Sequence, residues 1–152
     1  LRNSRCPALL LWLLVSVPLL AQTGAGAGRV TVQVFKTSTC GCCSSWVAHL
    51  RQQGFLVNAT DVVDLTGIKT GNQVPSRVAS CHTALVGGYV IEGHVPAADI
   101  ARLLKEKPDV VGIAVPGMPI GSPGMEGPNP QAYDVVTFDR AGGTTVFAHH
   151  RP

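Results

Sequence analysis

Three cysteines fall within four residues, Cys40-Gly41-Cys42-Cys43, between a strand-like run and a helix-like run. The run Val30-Thr31-Val32-Gln33-Val34-Phe35 alternates and is β-branched, whereas residues 44–53 place Trp46, Val47 and Leu50 on one helical face. The thiols therefore sit at a strand-to-helix junction. Adjacent Cys42 and Cys43 pair poorly with each other, and three sulfurs in one turn converge naturally on a soft metal ion. A helix N-terminus presents free N–H groups and partial positive charge, which favour thiolate over thiol, so reactive sulfur is expected here.

The rest of the chain reads as alternating short elements. Gly54 stops the first helix, residues 55–62 read as a strand, and residues 65–69 as a weak helical turn. Residues 81–86 and 89–92 are two strands joined by Gly87-Gly88, a hairpin signal. Pro96 then opens an amphipathic helix over residues 97–105, with Ile100, Leu103 and Leu104 as its apolar stripe. This order predicts an α/β thioredoxin-like fold, a mixed four-stranded sheet with flanking helices, over residues 29–111. Strand direction would bring Cys81 beside the cysteine turn at the start of the third strand, and would deliver His94 to the same side at the end of the fourth. Residues 112–130 alternate Gly and Pro, a composition that predicts neither helix nor central strand. Residues 133–138 and 144–147 read as a hairpin, so residues 112–152 form a Gly/Pro-rich and β-hairpin extension.

Residues 1–28 follow the order of a secretory signal peptide: Arg2 and Arg5, an apolar run over residues 8–20, then small residues. That run is shorter than the about 20 residues of a transmembrane helix, and Ser16 and Pro18 interrupt it. Cleavage after Ala21 or after Ala27 fits equally, and Cys6 leaves with the leader. The expected location is the periplasm, with no stable membrane span in the mature form. The formal charge of +3 includes Arg2 and Arg5, and with no acid in residues 1–28 the remainder carries about +1. Basic residues are scattered and aromatics few, so neither an electrostatic stripe nor a stacking platform for nucleic acid is present.

Cys40 and Cys43 have the C-x-x-C spacing of dithiol oxidoreductases. Cys42 would invite mispairing in a disulfide shuttle, whereas a metal site gains a ligand. Metal binding is the leading reading, with thiol–disulfide chemistry at Cys40 and Cys43 as the alternative and structural disulfides as a third. A thiolate-rich site with thioethers within reach selects Cu(I); Zn ranks second, and an iron–sulfur cluster third for want of its spaced four-cysteine pattern. The expected ligands are Cys40, Cys42, Cys43, Cys81, His94, Met118 and Met125. The two methionines are the chain's entire complement and both stand in the Gly/Pro stretch, which supplies little core. If Cys81 points at the site, strand alternation turns His82 to the opposite face as a structural histidine. His49 reads as surface, Trp46 as a core anchor, and His149 and His150 as a frayed end.

The motifs resemble those of the CopG-type periplasmic copper-resistance proteins of Gram-negative bacteria, long catalogued as a domain of unknown function. The resemblance rests on Cys40-Gly41-Cys42-Cys43 with Trp46 and Leu50, on Ser80-Cys81-His82-Thr83-Ala84, and on the run from Val86-Gly87-Gly88 to His94-Val95-Pro96. It continues through Val115-Pro116-Gly117-Met118-Pro119 and Gly121-Ser122-Pro123-Gly124-Met125, and covers about residues 30–150. It implies a thioredoxin-like domain whose C-terminal extension folds over the cysteine turn. It also implies copper bound by Cys40, Cys42 and Cys43 with help from the extension, clustering of several copper ions, and a redox role in copper handling. The partners expected are copper ions and other periplasmic copper-handling proteins. Copper binding comes first in this reading, with copper oxidoreductase activity as its enzymatic extension.

Overall fold

A computed structural model describes residues 30–152. The expected leader, its cleavage sites and Cys6 lie outside the described residues. Strand β1 (Thr31–Lys36) buries Val32 and Val34 on one face and leads through a tight turn into helix α1 (Gly41–Gln52). The helix starts three residues earlier than the expected span, so Cys42 and Cys43 lie inside its first turn. Its buried stripe is Cys43, Trp46, Val47 and Leu50, the i, i+3, i+4, i+7 pattern of a core-facing helix. Gly54 reverses the chain at φ +90, where the Phe55 N–H donates to the Leu50 carbonyl.

Strand β2 (Leu56–Asp61) returns parallel to β1. Helix α2 (Thr66–Gly71) and a 3-10 turn (Ser76–Val78) then lead to strands β3 (Thr83–Val86) and β4 (Tyr89–Glu92). The glycines between β3 and β4 both have positive φ, as a two-residue hairpin requires. Helix α3 (Ala97–Glu106) ends at Lys107 in the left-handed region, and Pro108 blocks its continuation.

The sheet has seven strands where the sequence predicts four plus a separate hairpin. Strand β5 (Gly112–Ala114) pairs parallel with β4, and β6 (Tyr133–Phe138) and β7 (Thr144–His150) extend the same sheet in the order β2-β1-β3-β4-β5-β6-β7. The expectation that residues 112–130 contain no central strand is corrected at its first three positions. Gly112, Ile113 and Ala114 precede the first proline, Pro116, so no ladder N–H is missing. Gly112 also lets β5 close on β4, since a Cβ there would collide with the Val90 carbonyl.

One core cluster packs Trp46, Val47 and Leu50 of α1 and Ile100 and Leu103 of α3 against Val32, Val34, Ala84, Ile91, Ile113 and Val135 of the sheet. A second joins Val78, Val90, Ala114 and Phe138. The alternation of Val90 with Ile91 and of Ile113 with Ala114 divides the two clusters between opposite faces. Burying each large aliphatic side chain contributes roughly 1.5–3 kcal/mol.

The pairing register locates the site. Phe35, Thr83, Glu92 and Ala114 align across four neighbouring strands. Just beyond that row come the cysteine turn after β1, residues 81–82 before β3, His94 after β4, and the Gly/Pro loop after β5. Four sequence-distant segments thus leave one end of the sheet together.

Candidate metal centre

Cys40 is the N-cap of α1, and its Sγ accepts the Cys43 N–H at 3.3 Å. Cys40 and Cys43 are disulfide-bonded, with 5.3 Å between their Cα atoms. Cys42 Sγ lies 3.5 Å from Cys40 Sγ, and the fully buried Cys43 Sγ lies 3.8 Å from the Cys81 carbonyl. The sulfurs of Cys40, Cys42, Cys43 and Cys81 all fall within 4.8 Å of one another. The predicted approach of Cys81 to the triplet is therefore present in the fold.

Two imidazoles flank Cys81. His94 Nε2 is 3.0 Å from its Sγ and His82 Nδ1 is 3.3 Å away, and Cys81, His82 and His94 make a second group with mutual distances inside 4.8 Å. His94 Nδ1 stands 2.8 Å from the Pro123 carbonyl, which can only accept, so Nδ1 carries the proton and Nε2 turns its lone pair to the cysteine. Strand periodicity predicts that alternation carries His82 away from the site, but it does not, because β3 begins at Thr83. Cys81 and His82 lie in the bend before it, where alternation does not apply. His82 is fully buried 4.3 Å from the Trp46 ring, and its Nε2 has no hydrogen-bond partner.

Burial, with the Cys42 thiol next, pushes Cys81 up to about 12, so without metal it is a neutral thiol. Burial, reinforced by His94 and Lys69, pulls His82 down to about 3. Burial likewise lowers His94. Both rings are neutral at pH 7 and available as nitrogen donors.

A buried carboxylate fixes the segment that carries Cys81 and His82. Glu92, at the end of β4, accepts from the Ser80 N–H at 2.6 Å and the Thr83 hydroxyl at 2.7 Å, and pairs with Lys69 of α2. Its two neutral donors bracket Cys81 and His82, so the carboxylate clamps that bend from both sides. Burial raises the Glu92 carboxyl above its ordinary value although Lys69 opposes the shift. Nothing in the sequence reading singled out Glu92 or Lys69, because β4 alternation does not reveal which strand-end residue faces a neighbouring loop.

The Gly/Pro loop lies directly on the cysteine turn. At Gly124, φ is +84 and an added Cβ would come within 2.7 Å of both the Cys42 carbonyl oxygen and the Trp46 nitrogen. The Ser80 hydroxyl donates to the Gly117 carbonyl, and the His94–Pro123 hydrogen bond adds a third tie. Glu126 accepts the Gly124 N–H at 2.8 Å, which holds its carboxyl below the ordinary value. Met118 follows Gly117 and is 52% exposed, and half-buried Met125 follows Gly124.

The remaining histidines take other roles. His49, read as surface, is half-buried and its Nε2 accepts the Ala97 N–H at 3.2 Å, capping α3. His149 and His150, read as a frayed end, belong to β7. His150 reaches Asp99 of α3 at 2.7 Å and stacks on Tyr133, while His149 reaches Asp134 at 2.7 Å. Among the described residues no helix is long and apolar enough to cross a membrane.

The donor set suits a soft metal. Thiolate sulfur and neutral imidazole nitrogen favour Cu(I) and Zn over hard cations, and the pre-set His94 tautomer needs no rearrangement to donate. The Cys40–Cys43 bond must be reduced by two electrons before those two sulfurs can serve as thiolates.

Residues 78–125 match the family described as "Protein of unknown function, DUF411". No curated protein matches the chain. Two solved structures do, over almost their whole length. "Copper resistance protein copG- Form 2" is 44% identical, with 81% of this chain and 99% of that chain covered at a TM-score of 0.77. "Copper resistance protein copG- Form 1" is 43% identical, with 82% and 99% covered at the same TM-score. With identity at that level over four-fifths of this chain and nearly all of each relative, the chain belongs to the CopG copper-resistance family.

Proposed function

We propose that this chain is a periplasmic copper-binding protein that handles Cu(I) through the sulfurs of Cys40, Cys42, Cys43 and Cys81, in copper resistance and homeostasis. The observation that carries the reading is the gathering of four sulfurs within 4.8 Å beside a nitrogen donor already in the right tautomer. In this reading residues 29–111 are a thioredoxin-like domain and residues 112–152 the extension that covers its reactive end. The strand-turn-helix start and the antiparallel β3–β4 pair support that assignment. His94 and the thioethers of Met118 and Met125 complete the ligand set, the methionines being offered by a loop bonded to Ser80 at Gly117 and to His94 at Pro123 and lying against Cys42 at Gly124. Close sulfurs favour bridging and hence several copper ions in one cluster. The leader-like composition of residues 1–28 supports export to the periplasm, where other copper-handling proteins would exchange metal with this one.

Anaerobically reduced protein loaded with Cu(I) is expected to retain copper through desalting. Cys42→Ser should lose most of it while keeping the parent's circular dichroism spectrum. Unchanged copper per chain in that variant would overturn the thiolate site.

The Cys40–Cys43 disulfide favours a second reading, thiol–disulfide exchange with Cys40 as attacking and Cys43 as resolving thiol. It predicts that metal-free protein exchanges with a model disulfide as well in Cys42→Ser as in the parent. Redox cycling of copper would join the two readings, with electrons passing between the metal and the Cys40–Cys43 pair.

A further inference from the structure

The Cys40–Cys43 bond leaves Cys42 and Cys81 as the free cysteines among the described residues. They come from different elements, the first turn of α1 and the bend before β3. Both are half-buried, and their sulfurs are less than 4.8 Å apart. With Cys40 and Cys43 joined, each is the only other free thiol among the described residues. We propose that Cys42 and Cys81 form a second disulfide, so that the fully oxidised protein carries two bonds crossing one site and withdraws all four sulfurs from metal together. A disulfide needs its sulfurs about 2.05 Å apart. The two sulfurs start from a separation under 4.8 Å, so closing the bond is a local approach within one site.

The reaction takes a small-molecule disulfide as oxidant. Cys42 attacks one sulfur of oxidised glutathione, forming a mixed disulfide and releasing one glutathione thiol. Cys81 then passes its proton to His94 Nε2, 3.0 Å away, and attacks Cys42 Sγ; the Cys42–glutathione bond breaks as the Cys42–Cys81 bond forms, and the departing glutathione sulfur takes up that proton. The chain loses two hydrogens and the oxidant becomes two glutathione thiols. Together with Cys40–Cys43, the site then holds four electrons fewer than its fully reduced form.

This inference shares its sulfurs with the proposed copper site but does not rest on copper being the ligand, because the test uses metal-free protein. The full chain is treated with oxidised glutathione, its remaining thiols are alkylated, and peptides are mapped without reduction, which reads Cys42 and Cys81 separately from Cys6. The expected product joins the Cys42 and Cys81 peptides and leaves neither cysteine alkylated. Cys81→Ser should instead retain one glutathione on Cys42. A Cys40→Ser, Cys43→Ser variant should still form the Cys42–Cys81 bond, which separates pairing from scrambling. Cys42 and Cys81 both alkylated while Cys40 and Cys43 are joined would overturn the proposal, as would a stable glutathione adduct on Cys42 of the parent. Reduced protein that binds copper yet fails this mapping would remove the second disulfide alone.

Discussion

At the scale of single residues, the site depends on groups kept neutral by burial. His82 sits between Trp46 and His94 with one ring nitrogen unpartnered, and charging it would place an uncompensated cation beside Lys69. Its folded value, about 3, lies below the ordinary 6.5, so the unfolded chain binds the proton more tightly. The neutral ring's contribution to stability is fully present above pH 6.5 and drains away as the pH falls toward 3. His94 shifts in the same direction and shares the upper part of that window. Metal-free protein should therefore lose stability on acidification with a slope of up to about 1.4 kcal/mol per pH unit from each ring. Urea midpoints measured from pH 7 to 4.5 should fall less steeply in His82→Gln than in the parent. An identical slope in the two proteins would mean that His82 protonates freely in the folded state.

At the scale of elements, the bend carrying Cys81 and His82 is held by a strand end and a short helix. Glu92 is fully buried, and its partner Lys69 comes from α2, an element with no buried residue of its own. Removing one member of a buried ion pair leaves the other charged and unsolvated, a loss of about 3–5 kcal/mol, which partial exposure of Lys69 brings toward the lower figure. Lys69→Met should therefore destabilise the protein by roughly 3 kcal/mol. Lys69→Met combined with Glu92→Gln should recover part of that loss, because the amide oxygen can still accept from the Ser80 N–H while the amide NH2 donates to the Thr83 hydroxyl oxygen. Chemical denaturation of the two single variants and the double variant checks this, and strict additivity would contradict the clamp. The network also marks the limit of what is legible in the sequence. Periodicity reveals α1, α3, the β3–β4 hairpin and the approach of Cys81 and His94, because each follows from local pattern and strand direction. It does not reveal which buried charge supports a bend, nor that His82 escapes alternation, because both depend on where β3 begins to pair. The early start of α1 was hidden for a related reason: Cys42 and Cys43 have weak helix preference, and the N-cap contact of Cys40 sets the boundary.

At the scale of the molecule, the last forty residues are structurally continuous with the rest. β5 lies between β4 and β6 in the sheet, so the loop over the cysteine turn is anchored at both ends and cannot act as a free arm. Val135 and Phe138 of β6 are fully buried and belong to different core clusters, one on each face. β7 adds a tie to α3, with the Arg102 guanidinium 3.6 Å over the Phe147 ring and Asp99 bonded to His150. Deleting residues 132–152 would empty both core positions. Losing a buried phenylalanine costs about 3–5 kcal/mol and a large aliphatic somewhat less, a sum comparable with the 5–15 kcal/mol that holds a typical domain together. The deletion also leaves Ile113 and Ala114 on an unpaired edge. A chain ending at residue 131, with every predicted ligand still present, is therefore expected to lose its cooperative denaturation transition. It should also lose the slow amide exchange of β4 and β5, which needs those ladders closed. A transition at the parent's midpoint would show instead that β1–β5 and the loop suffice, and that β6 and β7 contribute nothing to holding the methionine-bearing loop against the thiols.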